Sequence, residues 1–594
     1  MTQRTPAGPA RTHPIRRVLA LYRPYRGRLI LSQVMLLLSA LATLGTASLN
    51  SHLVNDGLLA GDTWVIIDTG IWMSVLGVVA SLLLAGTAVI AVFFSQGTAY
   101  VLRTQAYARV QEYSFGNFDA MRTGNLLVRL NSDVSNIANA VLFGVMLLLY
   151  APIMLIVALG LAMLTAPGMA WILLVVAVIV LGAAAILIRP MERAYDERQH
   201  RLDEVNNALQ ENLAGVRVVK AFGREELEIE RFNERTEQLR RPASAAAFRV
   251  ALLTPVLQTV AQLGIAATLM VGGTSVIAGD GTTIGQVTAF TQYLSLVVVP
   301  LALGALIAPY LLRGVTSAGR VFEVIDAEPT LPAGGTTDVA ESGGAEIRFN
   351  GVCFGYDQRE ADKDVLHDID LVIEAGQSVG ILGATGSGKT SLVNLIPRFY
   401  DTRTGQVLID GVDVRDIPLD QLRKAVGTAL QEAVLFQGVI RENLCFADPD
   451  ASDDRMKDAA RASDAFGFVE ALPQQWDAPV ARRGYNFSGG QRQRLSMARA
   501  LVPRPRVLIL DDSTSALDVA TETRVQAAIP RDVAGTTLIY VAQRISAVID
   551  LDRIILLERG RISDQGTHEE LLARSELYRE IYQSQLGAIQ EVSA

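Results

Sequence analysis

Two adjacent carboxylates, Asp511 and Asp512, end the apolar run in RVLILDDSTSALD. A buried strand that delivers an acid at its end is a way to hold Mg²⁺ beside a nucleotide. Upstream, GATGSGKT (Gly383–Thr390) has the spacing G-x-x-x-x-G-K-[ST]. The strand-like SVGIL precedes it and the helical SLVNLIPRFY follows, which is the setting this motif requires. Its glycines let backbone N–H groups wrap phosphates, and the N-terminus of the next helix adds its dipole. The expected nucleotide-binding residues are Gly383, Thr385, Gly386, Ser387, Gly388, Lys389, Thr390 and Ser391. Lys389 is directed to the β- and γ-phosphates, and Thr390 and Asp511 to Mg²⁺. ATP and Mg²⁺ are the expected ligands.

These groups must be positioned by a chain of 594 residues, half of them hydrophobic, with a net charge of −8. That length exceeds one domain, and the negative charge argues against nucleic acid as a partner. Cys353 and Cys445 form neither a disulfide framework nor a metal-ligand pattern. In the front half, stretches 29–55, 69–102, 134–188, 250–279 and 281–312 carry no Asp, Glu, Lys or Arg. A bilayer needs about 20 apolar residues per helix. The 134–188 stretch is long enough for two, with TAPG (Thr165–Gly168) as the turn, so six membrane helices are expected. The first 28 residues hold seven arginines and no acid, and the 189–249 connection holds twelve Lys/Arg, whereas 51–68 and the TAPG turn hold none. Both termini are therefore expected in the cytosol, with the protein in the plasma membrane. The helical pattern continues beyond the spans, so helices 2–3 and 4–5 should project past the bilayer. Uncharged spans offer no ion relay, so energy must come from elsewhere. DAEPTLPAGGTTDVAESGGA (Asp326–Ala345) reads as a linker. The expected organisation is a helical membrane domain over 1–325, the linker 326–345, and an α/β P-loop ATPase domain over 346–594.

NFSGGQRQRLSMARAL (Asn486–Leu501) is a second helix start, where Ser488 and the N–H groups of Gly489 and Gly490, just before Gln491, are able to hold phosphate. Here the chain resembles the nucleotide-binding domain of ABC transporters, whose signature is usually LSGGQ. The resemblance implies that this motif faces ATP on an opposite domain, so the chain needs a partner. It implies that Tyr356 stacks on adenine, that Gln431 links Mg²⁺ to the membrane helices, and that Asp518 meets the partner domain. Six spans with long extensions resemble the exporter-type half-transporter. The segments 115–125 and 212–226 resemble its first and second coupling helices.

Three positions depart from the family. Asp512 stands where it has a catalytic glutamate, and Gln543 where it has a switch histidine. Arg482 occupies a position that is often glutamate. Shortening the acid retracts the carboxylate by about 1.5 Å, and glutamine cannot become cationic. The pair resembles the degenerate site of heterodimeric ABC exporters. The resulting expectation is one subunit of a heterodimeric ATP-driven exporter. Its own site binds ATP and hydrolyses it slowly, and its signature completes the site of a different partner chain. An importer built on the same fold, and an ATP-gated membrane regulator or channel, are the alternatives. The intact FSGGQ speaks against the regulator, and six spans exclude a soluble ATPase of DNA maintenance. Gln258, Gln262, Gln286, Thr291, Gln292 and Tyr293 are uncharged polar groups within spans. They suit either an amphipathic cavity or interhelical hydrogen bonds, and a hydrophobic or amphipathic substrate is expected.

Overall fold

The computed structural model describes residues 13–121, 123–332, 334–340, 342–357 and 361–587. Two compact units emerge. One runs to Glu112, resumes after Met121 and ends at Ala327; the other joins Tyr113–Met121 to the residues from Glu328 onward.

The first unit is built on six long helices: α1 (Arg26–His52), α2 (Thr63–Gln111), α3 (Thr123–Thr165), α4 (Ala170–Phe222), α5 (Glu225–Ala278) and α6 (Ile284–Asp326). Among the described residues, five of them contain stretches long and apolar enough to cross a membrane. The described apolar stretch Pro167–Ala183 is shorter; it begins in a 3-10 turn and runs into α4, a continuous 53-residue helix. At 1.5 Å per residue the 54 residues of α5 extend about 80 Å, against a hydrocarbon core of about 30 Å. The longest helices, α2, α4 and α5, therefore outrun a bilayer by tens of ångströms.

Local chemistry sets their ends. The Asp62 carboxylate accepts the N–H groups of Trp64 and Val65 at the start of α2, the usual role of an N-cap acid. Thr283 and Gln286 form a reciprocal capping box at the start of α6. Gly223 and Gly279 end α4 and α5 in the left-handed conformation, at φ 59° and 75°, where a side chain would be strained. Only Gly223 and Arg224 separate α4 from α5. The segment expected as a second coupling helix is thus a tight junction of two long helices, with no separate short helix among the described residues. Leu44, Met154, Leu173, Phe290 and Tyr293 lie in the buried core of this unit. Near the first turns of α3, buried Asp133 accepts from Ser317 Oγ at 2.7 Å and from the Arg320 guanidinium.

The second unit contains two sheets. Strands β1 (Ile347–Phe354), β2 (Leu366–Ile373), β4 (Thr404–Ile409) and β5 (Val412–Asp413) form an antiparallel sheet in the order β2-β1-β4-β5. Strands β3 (Ser378–Leu382), β6 (Val426–Ala429), β7 (Val507–Asp511), β8 (Thr537–Ala542), β9 (Arg553–Glu558) and β10 (Arg561–Gly566) form a six-stranded sheet in the order β10-β9-β3-β8-β7-β6. All its pairs are parallel except β9 with β10. Such strands are covered on both faces, which is why VLIL and TLIYV read as unbroken apolar runs. Leu508, Leu510 and Leu538 face one core, Ile509, Ile539 and Val541 the other. The parallel register places Leu382, Asp511 and Ala542 at neighbouring C-terminal strand ends, where open α/β sheets bind ligands.

Candidate functional site

The phosphate loop leaves β3 at Leu382 and enters the helix Lys389–Asn394. Gly386 and Gly388 have φ of +82° and +101°, a region that glycine enters without steric cost. Gly383 is needed for another reason: a Cβ there would lie 2.2 Å from the Leu557 carbonyl oxygen. Lys389 is buried, and its Nζ donates to the carbonyls of Gly383 and Ala384 at 2.7 and 2.9 Å. Burial lowers its pKa, opposed by the nearby Asp512 and Asp511.

Asp511 ends β7 with 2 % exposure and accepts from Thr390 Oγ1 at 3.2 Å. Burial raises its pKa, the Thr390 hydrogen bond opposes that, and the charge of Asp512 reinforces it. Asp512 follows in the left-handed region at φ 47°, which aspartate tolerates better than longer side chains do. Its Oδ2 lies 3.4 Å from both Gln431 Nε2 and Gln543 Nε2. Burial raises its pKa too, with the Gln431 hydrogen bond acting against the shift. Tyr356 is half exposed at the rim, its hydroxyl 2.9 Å from Ser391 Oγ and its ring edge-on to Phe354 and Tyr400. A cleft of about 360 Å³ brings together Tyr356, Thr385, Gly386, Gly388, Lys389, Thr390, Ser391, Gln431, Asp511, Asp512 and Gln543. Gly383 and Ser387 lie on the back of the loop, beside a second cavity.

The cleft suits a Mg²⁺-bound triphosphate. The glycine-rich loop, Lys389 and the half-exposed ring of Tyr356 are groups that could hold a nucleotide. Thr390 and Asp511 offer hard oxygen donors from two elements that already meet, the donor type Mg²⁺ prefers.

The signature residues stand elsewhere. Ser488 caps the helix Gly489–Leu501, its Oγ accepting the Gln491 N–H at 3.2 Å, while Gln491 Oε1 accepts the Ser488 N–H at 2.9 Å. Ser488 and Gln491 are thus tied to each other, and the serine keeps its O–H as a donor. A Cβ at Gly490 would come within 3.1 Å of the Ala516 carbonyl. None of Ser488, Gly489, Gly490 or Gln491 lines the phosphate cleft. Asp518 caps the helix Val519–Asp532, accepting the Thr521 N–H at 3.0 Å, and that bond lowers its pKa. Arg482 is exposed in a short 3-10 turn before the signature.

Two contributors were not foreseen from the sequence. Gln493 is buried in the signature helix; its Oε1 accepts the Ala516 N–H at 3.0 Å and its Nε2 donates to Ser515 at 3.2 Å. It locks the signature helix to the loop between Asp512 and Asp518. The second is the pair Phe399–Tyr400, just beyond the phosphate-loop helix. Phe115, in the short helix Phe115–Ala120, stacks on Phe399 with centroids 4.4 Å apart. The Tyr400 hydroxyl donates to Asp119 at 2.8 Å. The segment expected as the first coupling helix therefore rests on the nucleotide-binding unit, one aromatic ring from Tyr356.

Residues 29–301 match the ABC transporter transmembrane region family, and residues 366–515 the ABC transporter family. An ABC transporter ATP-binding protein of Bacillus subtilis (strain 168), YfiB, is 32 % identical over 576 residues, covering 96 % of this chain and 99 % of that one. The chain belongs to the ABC transporter family. An ATP-dependent lipid A-core flippase of Syntrophus aciditrophicus (strain SB) is 32 % identical over 582 residues, covering 97 % and 95 %. Among solved structures, a bacterial Atm1-family ABC exporter with ATP bound matches with a TM-score of 0.77 at 24 % identity. The match covers 94 % of this chain and 98 % of that one. The fold is accordingly the exporter type, with membrane and ATPase domains fused in one integral membrane chain. Its ATPase domain makes it part of an ATP-hydrolysing transporter.

Proposed function

We propose that this chain is the ATP-binding and permease subunit of a heterodimeric ABC exporter, and that its own nucleotide site binds ATP tightly and hydrolyses it slowly. One observation carries the reading: Asp512 and Gln543 meet at one end of a cleft whose binding groups are all present. Ground-state binding draws on Tyr356, the phosphate loop, Lys389, Thr390, Gln431 and Asp511. Transition-state stabilisation needs a base at the attacking water and a donor at the terminal phosphate. A short acid and an uncharged amide weaken both. Asp518 and the loop that Gln493 fixes would meet the partner domain.

Ser488, Gly489, Gly490 and Gln491 lie outside the cleft, which supports their serving ATP on a second chain. Exposed Leu213, Val218, Phe222 and Ile229 at the α4–α5 junction leave an apolar tip that a partner would cover. A different half-transporter, carrying the glutamate and histidine absent here, fits this asymmetry. The substrate is hydrophobic or amphipathic; the spans hold amides and hydroxyls and no charge, and the relatives include ATP-dependent lipid A-core flippases. The arginine-rich start and the basic 189–249 connection support a plasma-membrane protein with both termini and the ATPase domain on the cytoplasmic side.

The test compares steady-state ATPase activity of the purified chain alone with that of the chain co-expressed with its partner. Near-background turnover alone, restored by the partner, is expected. Robust turnover by the isolated chain, well above a Lys389→Ala control, would overturn the reading.

A further inference from the structure

The C-terminal end of the described chain reaches the backbone beside Gln543. The helix Glu576–Tyr582 starts at Ser575, whose Oγ accepts the Tyr578 N–H at 3.3 Å. Tyr578 is fully buried, and its hydroxyl lies 2.7 Å from His568 Nδ1 on the preceding helix His568–Arg574. The helix is thereby fixed to the core before it runs into the π turn Gln583–Gly587. From that turn Gln585 makes two bonds: Nε2 donates to the Gln543 carbonyl at 2.9 Å, and Oε1 accepts the Ile545 N–H at 2.8 Å.

Strand β8 ends at Ala542, so the Gln543–Ile545 backbone lies beyond the ladder that holds its neighbours. One amide that satisfies a carbonyl and an N–H two residues apart orients both peptide planes around Arg544. Ile545 is fully buried, and a buried N–H without an acceptor is costly. Around this clamp a cavity of about 490 Å³ separates the C-terminal helix from the back of the phosphate loop. Gly383, Ser387, Gln543, Ile581 and Gln585 are among its walls. Gln585 spans from that helix to the segment whose side chain reaches Asp512.

We propose that Gln585 is a positioning residue for the nucleotide cleft: its amide holds the backbone on both sides of Arg544 and so sets how far Gln543 reaches toward the terminal phosphate of bound ATP. The inference rests on reading the cleft as an ATP site. A tie that merely stabilises the domain would loosen the fold without acting through Gln543, and the two roles are separable.

The experiment uses the full chain in lipid nanodiscs loaded with Mg²⁺ and radiolabelled ATP. Release is followed after a chase of unlabelled ATP, with amide hydrogen exchange of the 543–547 segment measured in parallel. Gln585→Ala should raise exchange at Ile545 and speed release about 3- to 10-fold, the range expected for loss of one or two net hydrogen bonds. Gln585→Glu keeps an acceptor for the Ile545 N–H and loses the donor to the Gln543 carbonyl. It should preserve Ile545 protection while release still accelerates. On a Gln543→Ala background, Gln585→Ala should add less than about two-fold, because coupled residues are non-additive. Unchanged release in Gln585→Ala, or the same acceleration on both backgrounds, overturns the proposal. If Lys389→Ala abolishes binding and Gln585→Ala leaves release unaltered, the clamp alone falls. If Lys389→Ala binds ATP normally, the reading of the cleft falls and takes the clamp with it.

Discussion

Introducing the longer acid and an imidazole, Asp512→Glu with Gln543→His, should convert the nucleotide site proposed to be slow into a faster one. The carboxylate advances by about 1.5 Å on insertion of one carbon–carbon bond. A displacement of about 1 Å at a reacting centre is worth on the order of 10²-fold in rate. Against this stands the backbone: residue 512 sits at φ 47°, where glutamate is strained by roughly 1 kcal/mol more than aspartate, about five-fold in the opposite direction. Histidine adds a group able to carry positive charge at the terminal phosphate, and Gln585 should seat it as it seats Gln543. The net expectation is a gain of about 10- to 100-fold in single-turnover hydrolysis at this cleft. The assay is release of labelled phosphate from the assembled transporter, with the partner's phosphate-loop lysine replaced so that one site reports. Parent and variant rates within about two-fold of each other would refute the reasoning, because Asp512 would then already be placed as a base.

Three further outcomes are expected. In the proposed heterodimer, Ser488→Ala should reduce steady-state turnover more than Asp512→Asn does, since Ser488 is proposed to serve the faster site; the reverse order would mean the sites are exchanged. Tyr400→Phe removes the hydrogen bond to Asp119, worth about 1 kcal/mol net, and should raise amide exchange across 113–121 with ATP affinity kept within about two-fold. Unchanged exchange there would show that Phe115 stacking alone holds the short helix. Acidification should weaken Mg²⁺-dependent ATP binding from above the ordinary carboxylate range, because burial raises the Asp511 pKa and Mg²⁺ needs the ionised form. Titrating binding between about pH 5 and 8 tests this: Asp511→Asn should bind weakly with a flatter profile, and a profile as steep as the parent's would place the titrating group elsewhere.

Much of this architecture was legible because the signals are periodic or local. Charge-free runs of membrane length, the Gly-rich turn between a strand and a helix, and Asp511 after VLIL each depend on residues close in sequence. The tight α4–α5 junction was less legible. Its segment NLAGVRVVKAFGREE reads as helix throughout, and only Gly223 in the left-handed region marks where one helix stops. The placement of 113–121 was also hidden. Its attachment depends on Phe399 and Tyr400, far along the chain, and an aromatic pair carries no address of its own.

The same distinction explains which parts of the cleft escaped notice. Groups that touch phosphate are constrained in type by what they bind, so a motif exposes them. Gln493 and Gln585 touch protein backbone: the Ala516 N–H in one case, the Gln543 carbonyl and Ile545 N–H in the other. Any residue with a suitably placed amide or hydroxyl could do that work, so glutamine there looks like an ordinary surface or helix residue until the fold is known. Yet these ties hold the two loops that border the cleft, the one after Asp512 and the one after β8. Substituting a motif residue changes what the cleft binds. Substituting a tie should instead change how long the bound nucleotide stays.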